Sequence, residues 1–344
     1  MRKAIIILIT SLSFVPFLTK KSDYVDITSV ISVSSICIDY NEENDNFSIY
    51  FYVLNNFNLA QAELSSSNVD ILAYITKIDD TDFTSAFEKF KKVSNVFVHY
   101  NHLQTLILTT RFFKKAENID LFYQFIRNNL DIYPTFYLFT TDNKVEEIYQ
   151  IKTFSDISAS FTLLIDPKSS KSYELATYID FVKAMNLDNF TLKIPHLATA
   201  SGTTNKQDEP FRSIIIDGYS IYHQKELKTN LLETDLLHLH WLEALNNLNV
   251  SIHNYAIYIK EGKYQISKKE KTVTITYDLS ATITKTINTN QADTYEILKK
   301  EITSELYRLY NYGIEHQLDL FNLNYLYPHQ EIDQVLFNVR LDIN

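Results

Sequence analysis

Between residues 211 and 245 the spacing of the apolar residues changes, and that change constrains the fold more than any other stretch of the chain. Residues 213–222 are crowded with β-branched and aromatic side chains, as a strand requires. Gly218 interrupts them, and a glycine inside a strand marks a bulge or a close approach of backbone. Residues 224–226 form a polar turn, and residues 227–232 a second, shorter strand. Thr234 is placed to cap a helix, and Leu237, Trp241 and Leu245 fall on one stripe of it. Strand, turn, strand and helix make a packing unit. By themselves they name no chemistry.

The remaining chain supports the same kind of architecture. Its 24 Tyr and 22 Phe beside only 4 Gly and 6 Pro favour strands and helices over glycine-rich loops. At 344 residues it is long enough for two or three cores. The net charge of −10 argues against nucleic acid, which attracts basic surfaces. Cys37 is the single cysteine, so neither an intramolecular disulfide nor a multi-cysteine metal site can form, and it reads as a small core residue.

The first 21 residues read as a leader segment: Arg2 and Lys3, then an apolar run over residues 4–18, too short to span a membrane comfortably. Residues 27–40 and 47–54 read as strands joined by a polar turn, with further strands at 69–78, 96–100, 104–109 and 133–140. Asp82 caps a helix over 83–93 with Phe83, Phe87 and Phe90 on one side, and a second helix covers 116–130. Residues 61–68 read as a loop, 161–165 as a strand, and Ser172 as the cap of a helix over 173–185. The small, polar stretch 198–210 reads as a linker between an N-terminal domain, 22–197, and a C-terminal one, 211–344. Beyond it, strands cover 250–260, 264–267 and 272–289, with Glu261-Gly262-Lys263 as a hairpin turn. An amphipathic helix over 293–312 carries Tyr295, Leu298, Ile302, Leu306 and Leu309 on one face, Gly313 is its cap or a break, and 335–343 is a final strand. The expected class is α+β: mixed and antiparallel sheets with packed helices in two or three domains, the long C-terminal helix lying on a sheet.

The residue types that carry chemistry are scattered. Asp39 and residues 41–46 gather four carboxylates, but a calcium loop wants Gly and Glu where Asn44 and Tyr50 stand, so a solvated turn fits better. His99 and His102 have no third ligand nearby in sequence, and His238 and His240 point to different sides of a helix. Ser220 follows Gly218, yet Tyr222 stands where a nucleophile elbow needs its second glycine. No residue is assigned to catalysis, a cofactor or a metal.

The "DGYSIY" strand end, the "KELKTNLLETD" turn, the "LLHLHWL" helix, the early "ISVSSICIDYNEENDNFSIYFYVLN" and the late "NYGIEHQLDLFNLN" occur in an order that resembles the Ger(x)C spore germination proteins. The resemblance implies a non-enzymatic lipoprotein, the C subunit of a nutrient germinant receptor, outside the cytoplasm at the spore inner membrane. It also implies two polytopic partners, the A and B subunits. In that family a cysteine ends the leader and carries the lipid; here Lys20 and Lys21 stand at the Gly and Cys positions, which puts lipidation in question. An extracytoplasmic solute- or cell-wall-binding protein of similar architecture is the alternative, and a hydrolase centred on Ser220 is a third possibility.

Overall fold

In the computed structural model the described residues are 30–54, 73–129, 132–133, 135–151, 173–203, 210–232, 239–242, 246–252, 255–285 and 291–343. The leader, the loop expected at 61–68, the strand at 161–165, Ser172 and His238 lie outside them.

Ten described strands form one mixed sheet. Its centre is parallel: β1 (Val30–Asn41), β5 (Thr105–Thr109), β6 (Tyr137–Thr141) and β8 (Thr191–Thr203) lie side by side. Antiparallel strands flank that centre, β2 (Asn46–Leu54) and β3 (Ala73–Asp80) on one side, β9 (Pro210–His223) and β10 (Glu226–Leu232) on the other. The short β4 (Phe97–His99) runs parallel to the start of β1, and β7 (Ala176–Thr177) pairs with the start of β6.

Both faces of this sheet are covered. On one face pack α1 (Phe83–Ser94), α2 (Ala116–Asn128) and α4 (Tyr178–Asn186), through Phe83, Phe87, Phe90, Phe122 and Phe181. Phe51 stacks on Phe90 with ring centroids 3.9 Å apart, and Asp82 caps α1 by accepting from the Ser85 amide at 2.7 Å. On the other face lie α3 (Val145–Gln150), the turn of 3-10 helix Leu239–Leu242 and a second sheet. Cys37 belongs to that interior, where burial pushes its thiol well above the ordinary range.

The second sheet is a meander of β11 (Leu248–Ile252), β12 (Tyr255–Lys269) and β13 (Thr272–Lys285), with β14 (Gln334–Ile343) returning parallel to β13. The crossover between them is α5 (Gln291–Glu315), whose Leu298, Ile302, Leu306 and Leu309 are fully buried. Burying four such side chains contributes on the order of 10 kcal/mol before entropy is subtracted. Tyr277 ties this sheet to the 3-10 turn by donating to the Trp241 carbonyl at 2.7 Å. Among the described residues no helix is long and apolar enough to cross a membrane.

Four expectations change. Strand pairing runs into the stretch read as a linker at 198–210: residues 198–203 continue β8 and Pro210 opens β9, paired from Thr191↔His223 to Thr203↔Pro210 with a bulge between His196 and Leu197. Backbone pairing needs no apolar side chains, so small polar residues hid two strand ends, and β9 and β10 pair into the first sheet. Gly262 is not a turn but part of a continuous β12, beside a bulge between Ile259 and Glu261; the chain turns at Glu270-Lys271. The helix placed at 173–185 starts at Tyr178, where Thr177 and Asp180 make a capping box. Gly313 neither caps nor breaks α5. Gln317 takes the left-handed position, with Leu318 N–H bonded to the Gly313 carbonyl at 2.7 Å and Gln317 N–H to Ile314 at 3.2 Å, a Schellman ending. A Cβ on Gly313 would lie 2.6 Å from the Leu318 oxygen, so the glycine makes room for the returning chain.

Candidate functional site

The polar side chains of the large sheet converge near the C-terminal ends of its parallel strands, the edge where open α/β sheets place ligands. Asp39 lies two residues before the end of β1, Thr109 ends β5 and Asp142 follows β6. Arg111 grips the Asp39 carboxylate at 2.8 and 3.1 Å, and Thr109 donates to it at 2.6 Å. Arg111 also reaches the Asp142 carbonyl at 3.4 Å, and Thr110 donates to the Asp142 carboxylate. The acidic turn beside them is engaged too: Glu42 meets Lys114 at 2.8 Å, and Asp45 accepts from Lys115 at 2.5 Å and Tyr40 at 2.6 Å. Among the described residues no cluster of His, Cys, Asp and Glu is suited to a metal ion.

From Asp142 the network runs inward to Ser220. Asn230 on β10 donates to Asp142 at 3.2 Å, and Ser220 on β9 donates to the Asn230 carbonyl oxygen at 2.7 Å. Thr140 on β6 lies 2.5 Å from Ser220 Oγ and 3.1 Å from His196 Nδ1 on β8. His196 Nδ1 is 3.3 Å from Ser220 Oγ, and its Nε2 is 3.5 Å from Asp142. Burial lowers the His196 pKa, although Asp217 and Asp142 pull the other way.

Serine, histidine and aspartate thus stand in triad order, but the proton is committed elsewhere. A hydroxyl has one hydrogen; that of Ser220 goes to Asn230, so in the short contact between Thr140 and Ser220 it is Thr140 that donates. Ser220 is 0% exposed. Its geometry cross-links β6, β8, β9 and β10 rather than presenting a nucleophile to a substrate. Spacing in the sequence singles out Ser220 but not Thr140, His196, Asn230 or Asp142, which lie 80 to 10 residues away and share no local motif.

Gly218 sets this geometry. At φ +155° it lies at the bulge where β9 skips Asp217 against β8, and a Cβ there would sit 2.0 Å from the Leu231 carbonyl oxygen. Both meanings of an in-strand glycine, bulge and close approach, hold at one residue. Of the other histidines singled out, His99 and His102 are exposed, on β4 and the turn after it, and His240 falls in the 3-10 turn.

No curated protein matches the chain. A solved structure described as "Crystal Structure of the GerBC protein" aligns over 90% of this chain and 96% of its own, with TM-score 0.46 and 13% identity. The family model described as the spore germination protein N-terminal domain matches residues 23–199, from the segment before β1 into β8. That match takes in just over half of the 344 residues, and the chain belongs to the Ger(x)C family of spore germination proteins.

Proposed function

We propose that this chain is the non-enzymatic C subunit of a nutrient germinant receptor, docked against the polytopic A and B subunits at the outer face of the spore inner membrane. The match of residues 23–199 to the spore germination domain carries this reading. The state of Ser220 supports its non-catalytic part: the hydroxyl is buried and donates to Asn230. Function then resides in surfaces that other proteins touch.

Purification of the tagged full chain from spore membranes tests the reading. Two polytopic membrane proteins are expected to co-purify. A chain that comes alone, and whose Tm rises on adding a small solute, is instead a solute-binding protein.

A further inference from the structure

We propose that the opposite edge of the large sheet, at the N-terminal ends of its parallel strands, is a lipid-facing surface on which Val93, Val96 and Phe97 enter the headgroup region of an anionic bilayer. The choice of membrane rests on the receptor reading above; the surface itself rests on the following geometry. Asn95, in the left-handed conformation, ends α1 and turns the chain into β4. Around that turn Val93 is 67% and Phe97 64% exposed, uncommon for side chains of this size side by side. Tyr133, before β6, is 54% exposed, and Ile179 in the first turn of α4 is 62% exposed. The Tyr178 amide bonds the Phe136 carbonyl at 3.2 Å, which sets the start of α4 on this same edge.

Two further observations select lipid as the occupant. The first is continuity: Phe97 pairs with Val30, the first described residue. The segment leading into Val30 carries the apolar run 4–18 and the basic pairs Arg2-Lys3 and Lys20-Lys21, so the membrane-seeking part of the sequence joins the fold at this patch. The second is charge. In a chain of net charge −10, the ends of α1 and α2 at this edge carry Lys91, which also meets Glu88 at 3.2 Å, Lys92 and Arg127; residues 89–102 contain no carboxylate, and Asp180 in the first turn of α4 pairs with Lys183 at 2.9 Å. At the far edge the carboxylates of Asp39, Glu42 and Asp45 sit among the cations Arg111, Lys114 and Lys115, and exposed Glu43 beside them supplies a control position. Lysine and arginine stems cover apolar surface while their heads meet phosphate, the arrangement of an interfacial membrane contact.

Because Cys37 is buried, one introduced cysteine provides the accessible thiol for a polarity-sensitive nitrobenzoxadiazole dye. Full-length Val93→Cys, Phe97→Cys and, as the far-edge control, Glu43→Cys are labelled and mixed with protein-free vesicles of phosphatidylethanolamine and phosphatidylglycerol. All three positions are exposed, so the fold tolerates the changes, and circular dichroism checks this. Expected are flotation with the vesicles, a several-fold rise in emission with a blue shift at 93 and 97, quenching there by a lipid-borne quencher, and no change at 43. A chain that stays off the vesicles, or floats with dark dyes at 93 and 97, overturns the proposal. So does brightening that requires co-reconstituted polytopic subunits, since the occupant is then protein. The vesicles contain no partner, so this result is independent of co-purification from spores.

Discussion

The two sheets are built by opposite rules. The small sheet is local: β11, β12 and β13 follow one another, and only β14 returns from a distance, carried by α5. One of its faces is wet, so Val335, Phe337, Val339 and Leu341 alternate with exposed residues along β14. The large sheet draws its centre from segments between residues 30 and 203, and both its faces are buried. Strand β5 is buried at every position, and its interior includes polar cross-links such as the Ser220 network. A local sheet can be read from alternation. A sheet buried on both faces is specified by pairings far apart in sequence.

The sharpest way to break this contrast is to attack the small sheet alone. Leu306→Asp buries a charge in the α5 face and should cost more than about 4 kcal/mol. Because Cys37 of the large sheet and Leu306 belong to one continuous core, urea unfolding is expected to remain a single transition. A second transition, with the large sheet still resisting protease, would show two independent units. Next in size is Gly218→Ala, which drives a Cβ into the Leu231 carbonyl. A loss of roughly 2–4 kcal/mol is expected from the midpoint in urea, and a loss below about 0.5 kcal/mol would mean β10 moves freely.

The network also gives the large sheet a pH signature. His196 is buried, which holds its folded pKa below the ordinary histidine value of 6.5, so the unfolded chain binds the extra proton first. Stability should therefore rise with pH up to about 6.5 and fall below it, and His196→Gln should flatten that slope. His223, also lowered by burial, contributes to the residual slope near that pH, and carboxylates such as Asp80 and Asp180, held below their usual range by hydrogen bonds, contribute at lower pH. An unchanged profile would mean that His196 is not held neutral. The smallest effect concerns the small sheet: Gln317→Gly relieves a left-handed residue at the end of α5 and should add about 0.5–1 kcal/mol.

That last site explains much of what sequence reading could and could not see. The helices with aromatic stripes, α1 and α2, the β1–β2 hairpin and the length of α5 were legible, because their apolar periods are long and unbroken. Turns were harder. With 4 glycines in the chain, residues such as Asp45, Asn95, Gln224, Lys225, Glu270 and Gln317 take positive-φ positions. Glycine consequently misled: Gly262 runs through a strand, and Gly313 lies a turn before the true helix end. The six-residue α3 was too short to show a period. Ser220 could be picked out as a residue, but its partners come from three other segments, which no spacing rule connects.

The central claim is that this chain serves spore germination by docking, without chemistry at Ser220. It is tested most directly by nutrient-triggered germination of spores lacking the chain, complemented with the wild type or with Ser220→Ala at equal protein levels. Spores lacking the chain should respond poorly, and both complements should restore the wild-type rate. Normal germination without the chain, or failure of a folded Ser220→Ala protein to restore it, would contradict the claim.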